Sequence, residues 1–256
     1  MKLNYKAYGE SGPALIILHG LFGELANWHS LSTRFGEHFK VFALDQRNHG
    51  RSPHSEEFTY EVMQEDLLEF MDEHGLEKAS VLGHSMGGKT AMFFAVRHPE
   101  RLEKLIVLDM SAKFLNSGFE DIYEALLSLK LAKLKNRQEA DEALAINLDS
   151  FTMRQFLLKN LDRSPGGGYQ WRMNLEVICR EHTNIQVAVP DDHPFAGLTL
   201  FVRGGDSAYI LDEDFPDFLK IFPLAALATI KGAGHWVHAD KPEELGDMVI
   251  EFLNRE

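Results

Sequence analysis

The chain of 256 residues is 45% hydrophobic and 25% charged, a composition typical of a folded protein with a sizeable core, which excludes a disordered chain. Its 26 basic residues are outweighed by 39 acidic ones, and the net charge of -13 leads us to expect no nucleic-acid and no membrane partner. The single cysteine, Cys179, cannot close an internal disulfide, and the N-terminus lacks the apolar core of a secretory signal. We therefore expect a cytoplasmic protein, either a monomer or a small homo-oligomer.

Six short apolar segments predict the strands of a parallel sheet. Their hydrophobicity is continuous rather than alternating, which is typical of strands that are buried on both faces between helices. These segments are residues 14–18, 41–44, 79–82, 105–108, 198–202 and 227–230. Residues 3–8 alternate instead, which predicts an antiparallel strand at the edge of the sheet. The expected fold class is α/β, with a mostly parallel sheet flanked by helices.

Helices are predicted between these strands and after the last one. They cover residues 27–35, 60–74, 85–98, 215–222 and 242–254. The alternation of strand and helix breaks over residues 111–190, which contain amphipathic segments such as 119–135. We therefore expect a helical cap there, inserted after the sixth strand as a lid, and an α/β core made of residues 1–110 and 191–256.

The sequence GHSMGGKT at residues 83–90 matches two catalytic motifs at once. As GxSxG it predicts a nucleophile elbow, a tight strand-to-helix turn that presents Ser85 for attack on an acyl carbonyl. As GxxxxGK[ST] it predicts a phosphate-binding loop, in which Lys89 and Thr90 would serve a nucleotide and its magnesium ion. Both motifs need a buried strand before and a helix after, so the neighbouring sequence does not choose between them.

Two distant glycine loops favour the elbow. His235, in GAGHW after the last predicted strand, can reach Ser85 as its base, because strand ends meet at one edge of a parallel sheet. The loop HGLFG begins at His19, which we expect to brace it. The N–H of Leu21 in this loop, together with that of Met86 after the nucleophile, would form an oxyanion hole.

A nucleotide-binding function leaves both of these loops unexplained. The strand sequences VFALD and LIVLD do resemble strands that end in a magnesium-binding aspartate, so this function is kept as a remote alternative. Lys89 is then expected to be a helix residue that contributes solvation or a surface ion pair. His238 follows His235 by three residues, but no third ligand accompanies the pair, and we expect no metal.

The four motifs HGLFG, DQRNHGRS, GHSMGGKTAM and GAGHWVHADKP stand in this order along the chain. With them the sequence resembles the α/β-hydrolase superfamily and, more closely, the small bacterial serine esterases of the YbfF type and their mitochondrial α/β-hydrolase-domain relatives. The likeness spans nearly the whole chain. Most of the superfamily carries DxRGxGxS from Asp45 onward, and Asn48 here replaces the first glycine, the variant of this subgroup.

The resemblance also bears on the acid that would support His235. In the commonest family pattern the acid follows the glycine of the penultimate strand by three residues, and that position here is Ser207, which cannot carry a negative charge. In the esterases that this chain resembles, a serine also occupies this position, and the aspartate after the preceding core strand takes the role. That residue is Asp109. We expect Asp109 to be the acid with support from Ser207, and Asp206 stays as the alternative.

These residues together predict a serine carboxylesterase that hydrolyses small or short-acyl-chain esters through an acyl-enzyme, without a cofactor. An acyl thioesterase or a carbon–carbon bond hydrolase would use the same triad, so both remain alternatives. A dehalogenase or an epoxide hydrolase would need an aspartate nucleophile. The aromatic residues that could line an apolar substrate pocket are Phe22, Phe114, Phe119, Phe151 and Trp236.

Overall fold

The computed structural model describes residues 1–115 and 118–255; residues 116 and 117 of the predicted cap and residue 256 of the predicted core lie outside this range. The strands of the described chain form one sheet of seven and one of two. They are β1 (Tyr5–Tyr8), β2 (Ala14–Leu18), β3 (Lys40–Leu44), β4 (Ala79–His84), β5 (Leu102–Leu108), β6 (Leu161–Arg163), β7 (Tyr169–Trp171), β8 (Thr199–Gly204) and β9 (Ala225–Ile230).

The large sheet has the order β1-β3-β2-β4-β5-β8-β9, and only its edge strand β1 runs antiparallel to its neighbour. Side chains of β2 alternate between two apolar clusters, with Leu15 and Ile17 on one face and Ile16 and Leu18 on the other. Each face is covered by helices, so both sets of side chains are buried. This explains why the predicted strands are apolar at successive positions.

Helices lie between the strands, after the last strand and in the segment between β5 and β8. They are α1 (His29–Phe35), α2 (Tyr60–Glu73), α3 (Met86–Arg97), α4 (Glu120–Ser128), α5 (Arg137–Leu144), α6 (Phe151–Leu158), α7 (Leu175–Arg180), α8 (Phe215–Ile221), α9 (Val237–Asp240) and α10 (Pro242–Leu253). Short 3₁₀ turns precede α1 and α8 and follow α3, α4 and α7. Among the described residues, no helix is long and apolar enough to cross a membrane.

The segment of residues 111–190, which we call the insertion, contains α4 to α7 and the small hairpin β6–β7. It follows the fifth strand of the chain rather than the sixth, since only β1 to β5 precede residue 111. The helix predicted over residues 119–135 ends at Ser128, where Leu129 adopts an extended backbone. Buried side chains of the insertion, such as Leu126 and Leu157, join the apolar cluster on the α2–α3 side of the sheet.

Candidate active site

Ser85 stands alone on the turn between β4, which ends one residue before it, and α3, which begins one residue after it. Its backbone has φ of 52° and ψ of -121°, a conformation that L-residues rarely adopt and that costs about 1–3 kcal/mol. The turn is tight because both motif glycines are in close contact with backbone. A Cβ at Gly83 would lie 2.2 Å from the carbonyl oxygen of Gly87, and one at Gly87 would lie 2.4 Å from that of Leu18. The spacing GxSxG is thus a requirement of the turn itself.

Three side chains from three strand ends form a continuous chain of hydrogen bonds. His235 Nε2 lies 3.0 Å from Ser85 Oγ, and His235 Nδ1 lies 2.8 Å from Asp109 Oδ2. The Asp109 carboxylate is fully buried and accepts two further hydrogen bonds, from the Gly204 N–H at 3.1 Å and from the Ser207 hydroxyl. Because an ionised carboxylate can only accept hydrogen bonds, His235 Nδ1 carries the hydrogen in its bond to Asp109. The other ring nitrogen, Nε2, is then free to accept the proton of the Ser85 hydroxyl.

Asp206, the alternative acid, lies elsewhere. Its side chain is on an exposed turn, and its N–H donates to the Ala233 carbonyl oxygen at 2.9 Å. In the part of the chain that the structure describes, the Asp206 carboxylate makes no hydrogen bond to His235. Of the two aspartates considered from the sequence, the structure therefore brings only Asp109 to the histidine, with Ser207 beside it.

Leu21 lines the same cavity as Ser85 and Met86 follows Ser85 in the chain, and among the described residues neither N–H donates a backbone hydrogen bond. Met86 is the first residue of α3, where a helical N–H has no partner within its own helix. The Leu21 loop is held by His19, whose Nδ1–H donates to the Gly20 carbonyl oxygen at 2.8 Å and whose Nε2 accepts the Gln46 N–H at 3.0 Å. Burial lowers the pKa of His19, which keeps the ring neutral, so that one ring nitrogen donates a hydrogen bond and the other accepts one. His19 braces the loop, as predicted.

A second buried histidine fixes the next residue of the same loop. His49 Nε2 accepts the Phe22 N–H at 3.2 Å, while its Nδ1–H donates to the Arg47 carbonyl oxygen at 2.9 Å. Burial lowers the pKa of His49 to about 3, so this ring is neutral too. Phe22 itself has φ of 61°, a strained value that these contacts maintain. Its place in the DQRNHGRS motif predicts that His49 shapes a loop beside the site, but no sequence feature predicts its hydrogen bond to Phe22.

Further rings surround the imidazole of His235. Tyr209 stacks on it with 3.9 Å between ring centroids and 16° between planes. His84 Nε2–H donates to the His235 carbonyl oxygen at 2.8 Å, and burial lowers the pKa of His84 well below its ordinary value. His238 stacks on Trp28 at 4.5 Å, and burial lowers its pKa to about 3. The His84 and His238 rings thus pack around the loop that carries His235.

A mostly apolar cavity of about 270 Å³ opens onto Ser85. Core and insertion both contribute to its wall. It is lined by Gly20, Leu21, Phe22, His84, Ser85, Phe119, Met153, Phe156, Tyr209, His235 and Trp236. Three of the aromatic residues named from the sequence, Phe22, Phe119 and Trp236, are therefore in its wall.

Phe114 and Phe151 do not line this cavity. Each is 62% exposed, so expecting them at the acyl pocket was wrong. Phe114 follows the point where the chain leaves the core and points to solvent, and Phe151 is the first residue of α6. Sequence reasoning missed Met153 and Phe156, which stand three residues apart on α6 and so share one face of it.

Lys89 is a second correction, since its side chain is fully buried rather than at the surface. Its Nζ donates to the carbonyl oxygens of Lys113, at 2.6 Å, and Val187, at 3.0 Å. These carbonyls lie at the two points where the chain passes between core and insertion, and the two passages are also paired with each other by Val189 N–H to Ala112 O at 2.8 Å. Burial lowers the pKa of Lys89 to about 7. The amine joins α3 to both ends of the insertion and is enclosed where nucleotide phosphates would not reach it.

Asn48, the residue that replaces a glycine in the superfamily motif, has φ of 64°, a conformation that asparagine tolerates better than most residues. Its Oδ1 accepts the Ser55 N–H at 2.8 Å and an Asn174 Nδ2–H at 3.1 Å, and its carbonyl oxygen accepts the Asn174 N–H at 2.9 Å. Asn160 makes a similar link, from its Nδ2 to the Phe22 carbonyl oxygen at 2.7 Å. The insertion is thus fastened to the loops beside the site.

No group of three or more histidine, cysteine, aspartate or glutamate side chains within residues 1–115 and 118–255 is arranged to hold a metal ion.

Comparison with known proteins agrees with this geometry. A family profile described as alpha/beta hydrolase fold matches residues 13–242. A solved structure titled "Marine microorganism esterase" is 41% identical with a TM-score of 0.96, and the match covers 98% of this chain and 99% of that one. The Escherichia coli protein "Esterase YbfF" is 32% identical over 99% of this chain and 100% of its own length. The Mus musculus protein "sn-1-specific diacylglycerol lipase ABHD11" is 37% identical over 94% of this chain and 81% of its own length.

These matches confirm the resemblance seen in the four sequence motifs and the expected fold class. They extend over nearly the whole of this chain and over 81–100% of each relative. The chain therefore belongs to the α/β hydrolase fold family and is a hydrolase of the esterase/lipase type.

Proposed function

We propose that this chain is a serine carboxylesterase that hydrolyses esters of small or short acyl chains through an acyl-enzyme on Ser85. The observation that carries the proposal is the unbroken hydrogen-bond chain from Ser85 Oγ to His235 Nε2, at 3.0 Å, and from His235 Nδ1 to Asp109, at 2.8 Å. Such a chain gives a serine hydroxyl both a base for its proton and an orienting carboxylate for the imidazolium that forms.

The first half of the reaction acylates the enzyme. His235 Nε2 takes the proton of Ser85 Oγ as the oxygen attacks the ester carbonyl carbon, and Asp109 stabilises the positive imidazolium. The carbonyl oxygen becomes an oxyanion and accepts hydrogen bonds from the Leu21 and Met86 N–H groups. The imidazolium then donates its proton to the departing alcohol oxygen, and the carbon–oxygen bond of the ester breaks.

The second half releases the acid. Water enters in place of the alcohol, gives a proton to His235 and attacks the acyl carbon, which again forms an oxyanion held by the same two N–H groups. Collapse of this intermediate returns the proton to Ser85 Oγ and frees the carboxylic acid. The reaction uses no group other than protein side chains, backbone and water.

Cavity size and lining support the preference for small esters. The space in front of Ser85 is about 270 Å³ and is lined mainly by apolar side chains, which favours a short hydrocarbon acyl group over a charged one. The insertion covers this space with Phe119, Met153 and Phe156, and we propose that residues 111–190 act as its lid. The names of the esterase relatives point to ester substrates as well.

Hydrolysis of p-nitrophenyl acetate, butyrate and octanoate, and of the matching thioesters, tests the proposal. We expect the acetate and butyrate esters to be hydrolysed, and Ser85→Ala to lower kcat by at least about 10⁴-fold. Ser30→Ala, which removes an exposed hydroxyl on α1, serves as the matched control and should leave kcat unchanged. Ester hydrolysis that persists in Ser85→Ala would exclude the proposed nucleophile, and a preference for thioesters by more than tenfold would replace the esterase by a thioesterase.

A further inference from the structure

A second cavity, of about 320 Å³, lies beside the one that opens onto Ser85. One wall is the face of α6 and the other is the segment of residues 236–240. The residues that line it are Asn27, Phe151, Thr152, Gln155, Phe156, Lys159, Trp236, His238, Ala239 and Asp240. Apart from two shared side chains, none of these residues lines the catalytic cavity.

The two shared side chains, Phe156 and Trp236, form the partition between the cavities. Their ring centroids are 5.5 Å apart with 51° between planes, so they are in contact. Both rings are half-buried, which leaves them less enclosed than the core aromatics around them. The partition is therefore a single pair of aromatic rings, one from the insertion and one from the loop that carries His235.

The lining of the second cavity suits a hydrocarbon chain with a polar end. Three aromatic rings line it, those of Phe151, Phe156 and Trp236, and its polar atoms come from Asn27, Thr152, Gln155, Lys159, His238 and Asp240. Phe151 is 62% exposed although the Arg154 guanidinium lies 5.7 Å from its ring centroid, so much of this apolar ring faces water. A flexible chain of methylene groups would cover this ring and needs no hydrogen-bond partners of its own.

We propose that this second cavity, here called the outer subsite, binds the distal part of the apolar chain of an ester whose carbonyl lies at Ser85, and that Phe156 and Trp236 set how far the chain can extend. The inference rests on the proposed esterase function and extends its substrate class. With the rings in contact, the catalytic cavity holds short chains. Displacement or removal of the Phe156 ring joins the two cavities and admits longer ones.

The test is the ratio of kcat/KM for p-nitrophenyl octanoate to that for p-nitrophenyl acetate. We expect Phe156→Ala to raise this ratio at least about tenfold and Phe156→Leu to raise it by less, because several more methylene groups become buried. Phe114→Ala removes an equally exposed phenyl ring that lines neither cavity and should leave the ratio unchanged. Circular dichroism and a thermal melt verify that each variant is folded.

A second test fills the outer subsite with a bulky side chain. Thr152 is exposed on α6 and lines only this cavity, so Thr152→Trp introduces an indole where the chain would lie. Combined with Phe156→Ala, it should return the octanoate-to-acetate ratio to the wild-type value. An unchanged ratio in both Phe156 variants, or a gain that Thr152→Trp does not reverse, would overturn the outer subsite while acetate hydrolysis continues. If wild type hydrolyses neither ester, the proposed function fails first.

Discussion

The core and the insertion contribute to the same cavity in different ways. Every polar group around the reacting atoms, Ser85, His235, Asp109 and the two N–H donors, comes from a strand end or a loop of the core. The insertion supplies only apolar side chains to this cavity: Phe119, Met153 and Phe156. We therefore expect the chemistry to depend on the sheet, whose strand ends are fixed by backbone register, and the choice of substrate to depend on the short helices of the insertion.

The two regions nevertheless meet at defined polar contacts. Lys89 joins α3 to both ends of the insertion, the Asn48–Asn174 pair holds its far side, and Asn160 holds the Phe22 carbonyl. If the core supplies the reacting groups and the insertion supplies the apolar wall, variants in the core should change kcat, and variants in the insertion should change KM or the preference for chain length. Variants at the contacts between the regions should change stability.

After Ser85→Ala, the largest effect is expected from Asp109→Asn. An amide keeps the shape of the side chain but cannot hold the imidazolium as a carboxylate does, and we expect kcat to fall by about 10³–10⁴-fold with little change in KM. Steady-state kinetics with p-nitrophenyl butyrate measures this. Asp206→Asn, which changes an exposed carboxylate that makes no hydrogen bond to His235, is the matched control and should change kcat by less than twofold. A larger loss in Asp206→Asn would reverse the assignment of the acid.

Gly20→Ala should have the next largest effect. A Cβ at this position would lie 2.9 Å from His84 Nδ1 and 3.1 Å from Ser85 Cβ, so the loop must shift and carry the Leu21 N–H with it. Loss of one oxyanion donor costs about 10²–10³-fold in kcat, and a partial displacement should cost about 10–100-fold. Gly166→Ala is the control, because a Cβ there meets nothing within 4 Å. Wild-type kcat in Gly20→Ala would argue against an oxyanion hole at Leu21.

Phe119→Ala tests the insertion side of the comparison. Phe119 packs edge-on against Phe22 with 6.1 Å between centroids and lines the cavity without approaching the polar groups of the core. We expect KM for butyrate to rise about five- to tenfold while kcat changes by less than twofold, since binding is lost equally in ground and transition states. A fall in kcat with constant KM would mean that the insertion takes part in the chemistry. Phe114→Ala again provides the matched control.

Lys89→Met should change rates least and stability most clearly. Wild-type Lys89 has a pKa of about 7 when folded and an ordinary value of 10.5 when unfolded, so between these values the unfolded chain binds more protons. The free energy of unfolding should therefore rise from pH 7 to pH 10 by up to about 1.4 kcal/mol per pH unit from this group, and fall again as pH drops toward 7. Methionine removes this contribution.

Urea unfolding at pH 7, 8 and 9 measures the effect in Lys89→Met, with the exposed Lys231→Met as control. The difference in stability between wild type and Lys89→Met should depend on pH, and the difference between wild type and Lys231→Met should not. A pH-independent difference for Lys89→Met would mean that the buried amine keeps its proton.

The three side chains that form the hydrogen-bond chain could be predicted from the sequence, because each follows a strand whose end is marked by a continuous apolar segment. Ser85, His235 and Asp109 come after β4, β9 and β5, and parallel strands bring their carboxyl ends to one edge. Identification of Asp109 over Asp206 needed the family resemblance, since the sequence alone does not tell which turn faces the histidine. The supporting histidines, His49 and His84, depend on packing that no motif specifies.

The sequence predictions that were wrong concern the solvent exposure of individual side chains. Lys89 was expected at the surface because lysine usually is, although Met86 to Val96 carries no other charge, and a helix that is apolar all round is a buried one. Phe114 and Phe151 were expected in the pocket because aromatic residues usually avoid water, but the insertion consists of helices too short to show which face is covered. For Lys89 as for the two phenylalanines, the exposure of the side chain is set by tertiary packing.

The elbow also leaves α3 without an N-terminal cap. Serine commonly caps helices with its hydroxyl, but Ser85 makes no such bond, because its hydroxyl is directed to His235 instead. The helix therefore begins with an N–H at Met86 that the Ser85 hydroxyl does not cap, and in the proposed mechanism the negatively charged oxygen of the reaction intermediate would accept its hydrogen bond. A boronic or phosphonic acid adduct on Ser85 would act as the missing cap, and we expect it to raise the melting temperature of the protein as well as to inhibit it.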